Sequence, residues 1–439
     1  MLHKTNIFCL LAAFVYIFGS AEAKVQAQTA SDSLLLEQII SEIIKSHPSV
    51  KQAEELLNIA DAKIGLSHSA YLPNIDASGS MTLIGPVPSI SFLGREIEMA
   101  PALNYNAGIN YNQTIYDFGK TSKNIEYENE NKNLSQQTIE QVKQTMAIIA
   151  TNTFYTLVFL QNALEIKEEQ LKTLNEHLEI ATKRKETGSG IEYDVLSTKV
   201  KISGIESQKI DLETAIKSVG SVINSLLGLS DKNIIRVKKE LNIKLSSIEP
   251  DSMVSYALNN RAEIKIAQEK SKLANLMYNI TKLQNNPILI GYATGGFKNG
   301  YMADLYALKP NFTAGIGFKL PIFDGNRKKH SLTLVKSAVQ NCDYEIEQAK
   351  RNITNDVIQN QSNVKASEKK IEQFKLQLVQ AQKALKLAET NYQSGVITNL
   401  DLMDASTSVS ESRLMLLKSQ IDYVSNIYKL KAAIGDKLY

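Results

Sequence analysis

The sequence predicts a mainly α-helical protein with a membrane β-barrel portion, built from a duplicated unit of two strands followed by one long helical hairpin. Three observations lead there. Short motifs recur at one fixed spacing, two stretches in each half alternate apolar and polar residues, and two long runs lack both proline and glycine.

The chain opens with Lys4, an apolar run from Ile7 to Phe18, and Gly19-Ser20-Ala21-Glu22-Ala23. That is the charge, length and small-residue ending of a secretory leader, so residues 1–23 are read as a cleaved signal peptide. The apolar run is shorter than the ~20 residues that span a bilayer. Cys9 lies inside the run without a lipobox, which leaves Cys342 as the one cysteine of the mature chain and excludes an intrachain disulfide. With 43% apolar residues and a net charge of +3, the composition gives no electrostatic case for nucleic acid. No later stretch reads as a transmembrane helix, so the strands must decide whether the exported chain is soluble or an outer-membrane barrel.

Residues 24–228 form the first expected repeat. It opens with an amphipathic stretch, Leu34 to Ser69. In the first strand, about 72–84, Ile75, Ala77, Gly79, Met81 and Leu83 alternate with Asp76, Ser78, Ser80 and Thr82. In the second, about 103–117, Tyr105, Ala107, Ile109, Tyr111 and Ile115 alternate with Asn104, Asn106, Asn110, Asn112 and Thr114. From Lys120 to Thr187 no proline or glycine occurs, and Leu164, Leu171, Leu174, Leu178 and Ala181 mark a coiled-coil seam. Such a run extends roughly 100 Å at 1.5 Å per residue. It ends at Gly188-Ser189-Gly190, where a returning helix starts, giving a hairpin over about 120–227.

Residues 229–250 are read as an equatorial linker, and 251–439 as the second repeat, which opens with the amphipathic stretch Met253 to Leu283. A weaker strand covers about 287–298. In the next, about 310–323, Phe312, Ala314, Ile316, Phe318, Leu320 and Ile322 alternate with Thr313, Gly315, Gly317 and Lys319. The second long run, Arg327 to Gln393, carries Ile371, Phe374, Leu378, Ala381, Leu385, Ala388 and Tyr392 at steps of three and four. It turns at Ser394-Gly395 and returns through Leu414, Leu417, Ile421, Val424 and Tyr428, a hairpin over about 326–435.

The halves correspond. Ala107-Gly108-Ile109 returns as Ala314-Gly315-Ile316, a spacing of 314 − 107 = 207 that also relates Asp117 to Asp324, Gly188 to Gly395, Asp194 to Asp401 and Gly228 to Gly435. Pro73 and Pro287 differ by 214, so one half carries seven extra residues between its strands. Four strands per chain cannot close a barrel, because the smallest membrane barrels have about eight and an open sheet would leave unpaired edges in lipid. Three chains would supply about twelve, enough for a water-filled lumen lined by the polar residues, with Tyr105, Tyr111, Phe312 and Phe318 toward lipid or its interfaces.

At this point the chain resembles the TolC-like outer membrane factor (outer membrane efflux protein) family over nearly its whole mature length. The resemblance rests on a proline at each helix-to-strand junction (Leu72-Pro73-Asn74, Asn286-Pro287), on Ile-Tyr-Asp-Phe-Gly (Ile115 to Gly119) and Pro-Ile-Phe-Asp-Gly (Pro321 to Gly325), and on the duplicated helix turn, whose second copy runs from Tyr392 to Ala405. It implies a homotrimeric outer-membrane channel with a periplasmic helical tunnel. The tips of that tunnel are closed at rest and opened by a periplasmic adaptor linked to an inner-membrane pump, in efflux or type I secretion.

The resemblance further implies that Asp401 and Asp404 ring the axis at the periplasmic gate. Their spacing of three puts both on one helix face, where like charges around an axis should raise some pKa values. Thr398-x-x-Asp401 also reads as a capping box, which is compatible with gating. Asp194 and Tyr392 match positions that latch one hairpin to its neighbour, and Gly188 and Gly395 are the helix-turn glycines. The family's basic residue just after the glycine is replaced here by Ile397, which argues against a salt-bridge lock.

His47, His68, His177 and His330 are scattered away from metal-ligand spacing, and neither a framed nucleophile nor a phosphate-cradling loop occurs, so no cofactor, metal or enzyme activity is expected. Lys183-Arg184-Lys185 reads as a solvated basic face. The competing reading is a soluble periplasmic coiled-coil adaptor or scaffold, which needs the helices but not the duplicated strands.

Overall fold

A computed structural model describes residues 34–230, 237 and 250–439, so the expected leader and most of the expected linker lie outside the described residues. The chain runs α1 (Leu36–Ser46), α2 (Pro48–Ser69), β1 (Asn74–Leu83), β2 (Ser89–Phe92), β3 (Arg95–Glu98), β4 (Leu103–Tyr116), α3 (Lys120–Glu186) and α4 (Glu192–Leu227). It continues with α5 (Pro250–Asn260), α6 (Ala262–Lys282), β5 (Ile288–Lys298), β6 (Lys309–Lys319), α7 (Arg327–Gln393) and α8 (Asn399–Ile434). Helices α3 and α7 both have 67 residues, and α4 and α8 both have 36. All four pairs of helix ends sit 207 apart, as in 327 − 120.

The motifs at the strand-to-helix junctions are helix starters. The carboxylate of Asp117 accepts the backbone N–H of Gly119 (3.1 Å) and of Thr121 (2.6 Å), and that of Asp324 accepts the N–H of Lys328 (3.0 Å). These bonds satisfy amides that a helix start otherwise leaves bare. The chain bends into each helix through two left-handed residues, Phe118-Gly119 and Gly325-Asn326. At the far ends, Gly188 and Gly395 take φ of 74° and 73°. There the N–H groups of Ser189 and Val396 reach back to the carbonyls of Arg184 and Asn391, both at 2.9 Å, the 6→1 bond of a Schellman turn.

The sheet has the order β1-β4-β5-β6, antiparallel throughout. Register aligns Ala77, Ile109, Gly295 and Phe312 across all four strands, so the apolar sets predicted from alternation share one face. That face is bare in the single chain, with Phe312 87% exposed. Its polar member Gln113 lies near the helix-proximal edge, accepting from Tyr111 Oη (2.5 Å) and donating to the Tyr71 carbonyl (2.9 Å). On the opposite face Asn110 donates to Asp76 (2.7 Å) and Ser78 (2.9 Å). Tyr292 lies across from Gly315 on the same face, where a Cβ at Gly315 would come within 2.6 Å of the phenol oxygen. The hairpin of β2 and β3, turning at left-handed Leu93-Gly94, is an addition to the expected strands.

Two clusters hold the middle of the helices. One joins Ile39 and Ile43 of α1, Phe154, Leu157 and Val158 of α3, Ile223 of α4 and Val424 of α8. The other joins Ala257 of α5, Ile264 of α6, Ile353 and Val357 of α7 and Ile427 of α8. The predicted amphipathic stretches each split in two. His47 ends α1 and caps α2 by accepting the Ser49 N–H (3.2 Å), with Pro48 at the first helical position. Arg261 separates α5 from α6, paired with Glu263 (2.7 Å) and Asp356 (2.8 Å).

Between residues 371 and 392 of α7, the seven predicted seam residues are shielded and every other residue is exposed. Helix α3 departs from its single predicted seam. It packs on both α4 and α8, and its second stripe includes buried Ala163, Lys167 and Gln170, the lysine bonding to the glutamine at 3.1 Å. Helix α3 also corrects the expectation of no membrane-length apolar stretch. An 18-residue window within it qualifies by length and composition, with 44% of that window buried.

Candidate functional site at the hairpin tips

The turns after α3 and α7 bring the sequence-predicted site residues to one end of the molecule. Thr398 and Asp401 form a complete capping box at the start of α8. The Asp401 carboxylate accepts the Thr398 N–H (2.9 Å) and hydroxyl (2.6 Å), while the Asp401 N–H donates to the Thr398 hydroxyl (3.3 Å). The hydroxyl bond, then the backbone bond, holds the Asp401 carboxyl below its ordinary range. That direction is opposite to the one expected from like-charge repulsion, because within one chain the local bonds to the charged form dominate. Asp194 occupies the equivalent position of α4, but Ile191 stands where α8 has Thr398, so no side chain reciprocates.

Asp404, one turn further along α8, is ion-paired with Lys201 of α4. Asp194 and Tyr392 are not joined within the chain. Tyr392 is buried in the α7 seam, and the guanidinium of Arg184, from the last turn of α3, lies over its ring at 4.4 Å. The same guanidinium points at the Tyr392 carbonyl (3.4 and 3.5 Å), at the negative end of α7. The Arg184 carbonyl in turn receives the N–H groups of Ser189 and Gly190, both at 2.9 Å. Arg184 is therefore committed between hairpins, which corrects its reading as part of a solvated basic face. Its neighbours Lys183 and Lys185 pair with Glu179 (2.6 Å) and Glu192 (3.2 Å).

Between α4 and α8 sits a buried polar knot that the sequence did not reveal. Asn399, 2% exposed, donates to the Thr198 hydroxyl (3.0 Å) and the Asp194 carbonyl (3.3 Å), and the Thr198 hydroxyl in turn donates to that carbonyl (2.8 Å) with Met403 Sδ beside it at 3.4 Å. Met403 closes an apolar cluster with Leu174, Ile202 and Ile205. Farther from the tip, Arg413 of α8 pairs with Glu169 of α3. Burial pushes the His177 imidazole down, with Glu389 and Glu176 pulling the other way. Among the described residues no group of three or more His, Cys, Asp or Glu side chains is arranged to hold a metal. The arrangement fastens two helical hairpins side by side at their tips through ion pairs, a cation–ring contact and hydrogen bonds.

The family model for outer membrane efflux proteins matches residues 39–228 and 253–436. The chain is 19% identical over 409 residues to the outer membrane protein TolC of Vibrio cholerae, spanning 91% of this chain and 90% of that one. It is 23% identical over 416 residues to the toluene efflux pump outer membrane protein TtgC of Pseudomonas putida, spanning 92% and 83%. Among solved structures, the outer membrane protein VceC of Vibrio cholerae superposes with a TM-score of 0.76 at 19% identity, over 92% of this chain and 97% of that one. The CmeC outer membrane channel of Campylobacter jejuni superposes with 0.77 at 16%, over 91% and 85%. The soluble-scaffold reading has no support in these comparisons and leaves the apolar sheet face unexplained. The chain belongs to the outer membrane efflux protein family and is an outer-membrane efflux channel subunit with a periplasmic helical tunnel.

Proposed function

We propose that three copies of the chain assemble into one duct, in which a barrel of about twelve strands continues into the helical tunnel and the hairpin tips form its gate. The observation that carries this reading is the sheet itself. It has unpaired edges at β1 and β6, which lipid cannot satisfy unless another copy continues the ladder, and a bare apolar face that water disfavours and lipid accepts. Each copy consists of the repeats 24–228 and 251–439 joined through 229–250, and the equal helix lengths support that division.

At the periplasmic end, the gate is closed by Asp401 and Asp404 near the axis and by latches among hairpins that include Asp194 and Tyr392. A periplasmic adaptor coupled to an inner-membrane pump opens it and delivers cargo, and the duct adds no chemistry of its own. Membrane fractionation followed by unboiled gel electrophoresis tests the assembly. A heat-sensitive trimer in the outer-membrane fraction is expected, and a monomer in the soluble fraction would contradict the reading.

A further inference from the structure

We propose that Lys298 and Lys309 form an oxyanion site at the outer mouth of the duct, one in each copy, which takes phosphate- or carboxylate-bearing solutes dissolved in the lumen. The proposal rests on the reading that three copies close the sheet into a barrel with its polar face inward. Lys298 ends β5 and Lys309 begins β6, so both stand at the end of the sheet far from the helices, and they are direct partners across the two strands. Alternation puts them on the polar face with Thr294 and Thr313, opposite to Phe312. Partners of this kind carry their Cβ atoms about 5 Å apart, where like charges repel.

No anion in the chain relieves that repulsion. Lys298 Nζ lies 5.1 Å from the centre of the Tyr301 ring and Lys309 Nζ donates to the Met302 carbonyl at 3.4 Å, and among the described residues neither lysine is ion-paired with a carboxylate. Beyond the strand ends, Glu98 accepts the Tyr306 hydroxyl (3.1 Å) and Asp304 accepts the backbone N–H groups of Tyr306 (3.0 Å) and Ala307 (3.3 Å), while Glu96 lies on the β2–β3 hairpin. The polar face of the four described strands has a single carboxylate, Asp76, which Asn110 holds at 2.7 Å. Asp76 stands in the row of Thr294, four residues along β5 from Lys298. At about 3.3 Å per residue that is roughly 13 Å, beyond the screening length of about 8 Å. On the lysines' own row Asn106 is the partner of Lys298 and Ser80 of Asn106, so an amide and a hydroxyl adjoin the two cations. An oxyanion seated between the ammonium groups replaces their repulsion with two charge-assisted hydrogen bonds. Lys319, the third lysine of this face, cannot do the same, because it lies at the helix-proximal end of β6 with Ile288 as its partner.

The test uses full-length trimers in planar bilayers of neutral phospholipid free of lipopolysaccharide, with potassium pyrophosphate as the probe. Pyrophosphate added to the chamber facing the barrel should reduce the current, and the concentration for half block should rise by about tenfold when Lys298→Gln is combined with Lys309→Gln. Each single glutamine variant should fall between, and Lys298→Arg with Lys309→Arg should keep the wild-type block. Lys319→Gln, which removes a charge from the other end of the same face, should leave the block unchanged. Wild-type current that ignores pyrophosphate, or a double glutamine variant blocked as strongly as the wild type, overturns the site. Equal weakening by Lys319→Gln overturns it too, since a diffuse field would then account for the block. Loss of the block on adding lipopolysaccharide to the membrane would give the lysines to lipid phosphate and overturn their luminal placement. Every variant is checked as a heat-sensitive trimer on unboiled gels. Trimers without block overturn the site alone, whereas a wild-type chain that forms neither trimer nor conductance overturns the barrel, and the proposal with it.

Discussion

The guanidinium carbon of Arg184 lies 4.4 Å from the centre of the Tyr392 ring, so the last turn of one 67-residue helix is clasped to the last turn of the other. The resemblance implies Asp194 as the partner of that phenol, and the second hairpin carries an isoleucine, Ile397, just after its turn glycine. The cation is instead supplied from the first hairpin, and it binds the face of the ring rather than a carboxylate. Arg184→Ala should weaken the closed tip by about 0.5–1 kcal/mol and raise the resting conductance in planar bilayers. Tyr392→Leu should do the same, and the double variant should be no more open than either single one. Additive effects would show that the two residues act separately.

The sheet register predicts opposite tolerance on its two faces. Ile316 shares the bare apolar face with Phe312, and Lys319 lies on the other. Ile316→Arg places a charge toward lipid at a cost of about 2–4 kcal/mol near the midplane and should abolish trimer insertion. Lys319→Gln should assemble normally. Equal behaviour of the two variants, read as heat-sensitive trimer on unboiled gels, would invert the assigned faces.

Thr398 holds the Asp401 carboxyl down, so that charge persists to lower pH than an ordinary aspartate would allow. Thr398→Ala should cost about 1 kcal/mol of cap stability and let the carboxyl return toward its usual range. Block of the channel by multivalent cations, followed as pH is lowered, should then fail at a higher pH in the variant than in the wild type. Coincident profiles would separate Asp401 from the block.

Burial lowers the pKa of His177 in the folded chain, so between its folded and unfolded values the unfolded chain binds more protons. The stability this group contributes is full above the ordinary histidine value and is lost as pH falls through that value toward the folded one. His177→Gln should flatten the dependence of trimer melting on pH below the ordinary histidine value. A slope unchanged by the substitution would place the titrating group elsewhere.

Much of this architecture is legible because its signals are local. Missing proline and glycine delimit α3 and α7, a step of three and four picks out the shielded residues from Ile371 to Tyr392, and strict alternation fixes which face of the sheet is apolar. What was not legible depends on contacts between distant residues. Arg184 and Tyr392 are 208 apart, and Lys201 and Asp404 are 203 apart, so the chemistry at the tip emerges only once the hairpins lie side by side. Lys167 and Gln170 hide the second buried stripe of α3 because polar residues do not register in an apolar pattern. The β2 to β3 hairpin is short, and its alternation over four residues per strand is too brief to stand out.

The central claim is that the open edges of one sheet are closed by identical copies, and cysteine pairing across those edges tests it most directly. In a Cys342→Ser background, Ser78→Cys on β1 can be combined in turn with Asn311→Cys, Thr313→Cys and Lys319→Cys on β6, all on the polar face of the sheet. After oxidation, boiled and unreduced samples from one of these combinations should run as a covalent trimer that collapses to monomer on reduction, with the single-cysteine chains remaining monomeric. Monomers from every combination, with the protein otherwise assembled in the outer membrane, would contradict the closure of the barrel by pairing of β1 with β6.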